Sequence, residues 1–110
     1  MGALRYGPMW ILRSSGTEIE PLTFRMTSGA VKTIGRAKGA DLIIDAALVS
    51  RVHCRLEAGK DGVDVTDLES TNGTFVNGKR VNRATLSNGD RLRVGRVELT
   101  LERSGGRKLA

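Results

Sequence analysis

Cysteine, histidine and aromatic residues are scarce in this chain. Of 110 residues, one is cysteine, one is histidine, and tryptophan, tyrosine and phenylalanine together make up 4%. The lone Cys54 cannot close an internal disulfide, which points to a reducing, intracellular setting. One histidine and one cysteine cannot supply the converging ligands of a zinc site, so no metal and no cofactor are expected. So few aromatics cannot build a base-stacking platform for single-stranded nucleic acid. No apolar run approaches the roughly 20 residues of a membrane span, and the start of the chain lacks the long apolar stretch of a secretory leader. A membrane partner is therefore not expected. Asn72-Gly73-Thr74 spells a glycosylation acceptor, but inside a cell it would not be read. Neither a Walker A loop nor a Gly-x-Ser-x-Gly elbow is present. No window of ten or more residues shows a helical apolar period, and no basic helix offers itself to a DNA groove.

The chain does have positive charge and alternation. Its net charge is +6, which invites anionic partners such as phosphoprotein, acidic lipid or nucleic acid. Period-two patterns recur: Val52, Cys54 and Leu56 against Arg51, Arg55 and Glu57; Leu92 and Val94 against Arg91 and Arg93; Val97, Leu99 and Leu101 against Glu98, Thr100 and Glu102. Turn signals separate them, including Asn72-Gly73, Asn77-Gly78 and Asn88-Gly89-Asp90. Eleven strands are predicted, over 9–13, 21–26, 31–35, 42–44, 52–57, 63–67, 74–76, 79–80, 84–86, 90–94 and 97–102. Short strands at this spacing imply an all-β sandwich or barrel. One domain over 9–102 is expected, between a loose segment 1–8 and a tail or linker start at 103–110.

Three polar segments fall where loops should lie: Gly35-Arg36, Ser50-Arg51-Val52-His53, and Ser70-Thr71-Asn72-Gly73 running on to Asn77-Gly78. Together they offer a guanidinium, hydroxyls, amides and glycine-freed backbone N–H groups, an inventory suited to a phosphate monoester. Arg36 presents a planar fork that matches two phosphate oxygens. Ser50 can donate from its hydroxyl and its backbone N–H. Ser50, His53 and Asp67 suggest a hydrolase only superficially, because a spacing of three along a strand puts Ser50 and His53 on opposite faces. No catalytic residue is assigned.

The order and spacing of these segments, from about Trp10 to Glu102, resemble the forkhead-associated (FHA) domain. The resemblance implies an FHA-type β-sandwich of about eleven short strands with the binding loops at one end. It also implies a phosphothreonine-peptide reader that recruits phosphorylated proteins. Carried over residue by residue, it makes Arg36, Ser50, Thr71 and Asn72 phosphopeptide contacts, with Arg51 on the pocket rim. Gly35, His53 and Gly73 become structural signature residues, His53 as a buried brace. Secondary contacts would come from Lys38, Leu48, Val49, Asn77 and Arg80. The segment Ala47-Leu48-Val49, which precedes the serine, is apolar where some members carry an arginine that selects an acidic residue. Lys38 and Arg51 nonetheless keep an acidic or multiply phosphorylated peptide in play. A γ-methyl niche would favour phosphothreonine over phosphoserine. The opening Met9-Trp10-Ile11-Leu12, followed by Thr33-Ile34-Gly35-Arg36, looks like the start of nibrin-like DNA-repair scaffolds, implying DNA-damage signalling in the nucleus; otherwise the cytoplasm is expected. A monomer is expected. The alternative is a nucleic-acid or general anion-binding β domain, although specific nucleic-acid recognition is not expected.

Overall fold

Residues 7–104 are described by the structure, a computed structural model of the chain. The expected loose ends lie largely outside this range. Eleven strands follow in order: β1 (Met9–Ser15), β2 (Thr23–Thr27), β3 (Val31–Gly35), β4 (Leu42–Ile43), β5 (Cys54–Ala58), β6 (Val63–Asp67), β7 (Thr74–Val76), β8 (Lys79–Val81), β9 (Arg83–Leu86), β10 (Arg91–Val94) and β11 (Val97–Ser104). Among the described residues there is no helix. Strand number and order match the sequence expectation. The last strand continues to Ser104, because its outer residues pair with the start of the first: Met9 stands opposite Ser104 and Trp10 opposite Arg103.

Two sheets face each other. One has the order β2-β1-β11-β10-β7-β8, the other β4-β3-β5-β6-β9. All pairs are antiparallel except β3 with β4. Alternation is what buries one face of each sheet. In β5 the order buried, exposed, buried, exposed, buried runs from Cys54 to Ala58, and in β11 Val97, Leu99 and Leu101 are buried with half-buried residues between them. The core joins Trp10, Leu12 and Met26 of one sheet to Ile34, Leu56 and Val65 of the other. The indole of Trp10 is 1% exposed, and its Nε1–H donates to the Gly59 carbonyl at 2.8 Å. Trp10 is thus a core residue with a satisfied polar tip. Cys54 sits in the same core, and burial pushes its thiol up to about 12, with Asp67 adding to the rise. It is an inert apolar filler at neutral pH.

One alternation fails. The period-two pattern puts Val52 inward with Cys54, whereas the resemblance implies a buried His53. Val52 is 53% exposed and His53 fully buried. Strand pairing begins only at Cys54, so residues 50–53 form a loop. That loop is bound edge-on to the end of β3: Arg36 N–H donates to Ser50 O at 2.9 Å, Ala37 N–H to Arg51 O at 3.1 Å, and His53 N–H to Ile34 O at 2.9 Å. Three backbone bonds outweigh the side-chain alternation and turn His53 inward.

Candidate functional site

The three polar segments converge at one end of the sandwich. They border an open cavity of about 470 Å³ lined by Arg36, Thr71, Asn72 and the whole segment Asp45 to Ser50. The loops are tied to one another before any ligand arrives. Arg36 Nε donates to Val49 O at 3.1 Å. Thr71 N–H donates to Ser50 Oγ at 3.0 Å, and Asn72 Nδ2 donates to Leu48 O at 3.2 Å. This leaves Arg36 with its two terminal nitrogens uncommitted: among the described residues it has no ion pair and no other side-chain hydrogen bond. Ser50 accepts through its oxygen and keeps its own proton to donate. Such prior ordering lowers the entropy that a ligand must overcome.

His53 is the post behind this arrangement. Its Nδ1 accepts from Ser50 N–H at 3.0 Å, which places the proton on Nε2, and Nε2 then donates to Gly73 O at 2.9 Å. One ring therefore joins the serine loop to the asparagine loop. The same bond corrects the expectation for Ser50: its backbone N–H is spent on His53, so only the hydroxyl is available to an anion. Gly35 allows the loops to close. A Cβ placed there would lie 2.1 Å from Arg51 O and 2.9 Å from its carbonyl carbon.

A second clamp, centred on Asp67, escaped sequence reasoning. Its carboxylate accepts from Thr74 Oγ1 at 2.7 Å, from Ser70 N–H at 3.1 Å and from the Ser70 hydroxyl, while Gly73 N–H donates to Ser70 Oγ at 3.0 Å. The signal was present as an aspartate three residues before a serine, a local turn pattern. Burial works against ionisation of Asp67, but the bonds from the Ser70 hydroxyl, the Thr74 hydroxyl and Ser70 N–H outweigh it and hold the carboxyl below its usual value. A depressed folded-state value stabilises the fold above the unfolded-state pKa of about 3.9, and that stabilisation is lost as pH falls through the folded value. The thermal midpoint should therefore be level down to about pH 5 and drop below about pH 4. Asp67→Asn should lower the midpoint at pH 7 and flatten the acid limb, as scanning calorimetry across pH would read.

Several expected contacts lie outside the cavity. Arg51 and Lys38 are exposed and do not line it. Asn77 occupies the β7–β8 hairpin at φ 51° and is committed there, with Nδ2 donating to Asp90 and Oδ1 accepting from Arg91 N–H. It fixes a turn and is not brought to the cavity. Arg80 is also outside, but its guanidinium packs on Gly73: a Cβ at that glycine would sit 2.7 Å from Arg80 Nε. Leu48 and Val49 do line the cavity. Leu48 holds φ 72°, a conformation rare for a branched side chain, and is 44% exposed. Asp45 and Ala46 complete the lining and were not foreseen; a carboxylate at that end disfavours an anion beside it.

The family model of the FHA domain matches residues 32–95. The chain is 44% identical, over 71% of its own length, to the ABC transporter ATP-binding/permease protein Rv1747 of Mycobacterium tuberculosis, and covers 9% of that protein. It spans under half the length of the curated relatives it matches. Among solved structures, the FHA domain of CT664 from Chlamydia trachomatis superposes with a TM-score of 0.79 at 25% identity, covering 86% of this chain and 96% of that one. Mycobacterium tuberculosis EmbR, solved with a low-affinity phosphopeptide, superposes with a TM-score of 0.77 at 26% identity over 92% of this chain and 26% of its own. These relatives are bacterial, and the nibrin-like reading finds no support among them. Core packing accounts for the tryptophan on which that reading leaned.

Proposed function

The chain belongs to the FHA family, whose domains bind phosphothreonine peptides, and from that premise we propose that it docks a phosphothreonine-bearing protein through the cavity at Arg36. The observation that carries this reading is the uncommitted end of the Arg36 guanidinium, held by Val49 and set beside the Ser50 hydroxyl, Thr71 and Asn72. In the proposed complex Arg36 grips two phosphate oxygens and Ser50 donates to a third. Asn72 engages the peptide backbone, and Thr71 closes the wall.

A bacterial phosphoprotein in the cytoplasm is the partner class that fits the relatives, and recruitment rather than chemistry is the outcome. The apolar stretch Ala46-Ala47-Leu48-Val49, with Asp45 at its end, suits an uncharged or aliphatic residue downstream of the phosphate.

The test is a calorimetric titration with one peptide in three forms. The phosphothreonine form should bind, the phosphoserine form more weakly, and the unmodified form not measurably. A buried γ-methyl is worth about 0.8 kcal/mol, or roughly fourfold in affinity. Equal affinity for all three forms would sink the reading.

A further inference from the structure

The outward face of the six-stranded sheet carries a cross-strand row that the cavity does not absorb. Arg80 of β8 stands opposite Phe75 of β7, and Phe75 opposite Arg93 of β10. Neighbours on β7 and β10 point inward: Thr74, Leu92 and Val94 are fully buried. The Arg93 guanidinium lies 4.1 Å from the centroid of the Phe75 ring. That stacking fixes the plane of the guanidinium and leaves its edge for a ligand. Neither Arg80 nor Arg93 has a carboxylate partner among the described residues; Glu98, next in the row, leans to Arg91 at 3.8 Å. The same face also shows Arg13, Arg25 and Arg91 against Glu98 and Glu102, so its charge is positive.

Both arginines are anchored to the loops that build the cavity. Arg80 packs on Gly73, the residue after Asn72. Arg93 Nη1 donates to Gly95 O at 3.0 Å, and a Cβ at Gly95 would lie 2.9 Å from Ala47 O. The row therefore begins at the cavity rim. An extended peptide advances about 3.3–3.6 Å per residue, so a residue about two to four places from the phosphothreonine can reach it.

We propose that Arg80, Phe75 and Arg93 form a second, anion-binding subsite for acidic or phosphorylated residues flanking the phosphothreonine. This deepens the proposed function and rests on it. It replaces Lys38 and Arg51, which stand away from the cavity lining, as the source of any preference for acidic ligands. The Arg93 guanidinium on the Phe75 ring and the Arg80 guanidinium against Gly73, two residues before that ring, offer planar forks matched to carboxylate or phosphate oxygens. Partial burial of Phe75 and Arg93 protects the subsite from the full screening that exposed lysines suffer.

The test uses four peptides: a phosphothreonine with alanine flanks, the same with three aspartates before it, the same with three after it, and the unphosphorylated alanine peptide. Each is titrated into wild type, Arg80→Gln, Arg93→Gln and the double variant, at low salt, with melting temperatures as the fold control. One acid-flanked peptide should bind wild type about tenfold tighter than the alanine-flanked one, the gain of one well-made charged contact. In the double variant the gain should shrink to within about twofold, while the alanine-flanked peptide holds its affinity. Retention of the gain by the double variant overturns the proposal, as does its loss in Lys38→Gln or Arg51→Gln instead. If phosphorylation matters but acidic flanks add nothing, the subsite falls and the Arg36 reading stands. If phosphorylation itself adds nothing, both fall. Displacement of the peptide by duplex DNA, abolished in the double variant, would assign the row to nucleic acid and overturn the peptide proposal.

Discussion

Arg36→Ala should abolish measurable phosphothreonine-peptide binding and leave the melting curve almost unmoved. The two effects separate because of how this side chain is held. Its backbone N–H, which the substitution keeps, bonds Ser50 O at 2.9 Å and does the structural work. Its side chain is exposed and makes one bond, from Nε to Val49 O. That bond orients the fork, and the fork contributes little else to the unliganded fold. Loss of charge-assisted, bidentate phosphate contacts costs about 1.5–3 kcal/mol or more, from about tenfold to beyond a hundredfold in affinity. Arg36→Lys should recover only part of this, since an ammonium keeps the charge and loses the planar geometry. Titration of wild type and both variants with one peptide, beside their melting curves, makes the check. Near-equal affinity of Arg36→Ala and wild type would remove Arg36 from the site.

Much of this was legible because period-two burial and turn chemistry act locally. The run from Val97 to Leu101 reads as a strand on any sheet, and Asn77-Gly78 reads as a turn whatever it joins. The structure supports both, with β7 and β8 meeting at Asn77 in a left-handed conformation. What escaped was set by contacts between distant segments. Val52 obeys the sequence alternation, yet the ladder to β3 turns it outward. Ser50 looked like a double donor, and only its distance to His53 shows that its backbone N–H is already used. Asp45 carries no motif and enters the cavity because the 45–49 loop lies along Arg36. Asp67 reads from the sequence only as a superficial hydrolase member; its clamp emerges when Thr74, seven residues on, adds a hydroxyl to the two donors of Ser70. Lys38 and Arg51 show the converse: a basic residue close in sequence to a cavity-lining residue need not line the cavity.

Gly35→Ala should be the most destabilising single-methyl change in the binding loops, and it should take binding with it. Ordinary glycine arguments do not apply, since Gly35 is absent from the positive-φ glycines and alanine can adopt its backbone angles. The obstacle is space. The added Cβ would lie 2.1 Å from Arg51 O and 3.1 Å from Val52 Cα, and both are backbone atoms that cannot swing aside. Relief requires the 50–53 loop to move off β3. That movement stretches the bonds from Arg36 N–H to Ser50 O, from Ala37 N–H to Arg51 O and from His53 N–H to Ile34 O. It also pulls Ser50 from Thr71 and His53 from Gly73. Overpacking of this kind costs about 3 kcal/mol, and a domain of this size should lose on the order of 10–20 °C of thermal midpoint. Gly39→Ala supplies the matched control: it lies in the next turn of the same loop, and a Cβ there meets nothing within 4 Å. Its midpoint should stay within a few degrees of wild type and its affinity unchanged. Binding measured below both melts then separates the causes. A Gly35→Ala protein that is fully folded at 10 °C and binds like wild type would show that the loop can shift without disturbing the cavity, contrary to the single framework that His53, Ser50 and Gly73 form.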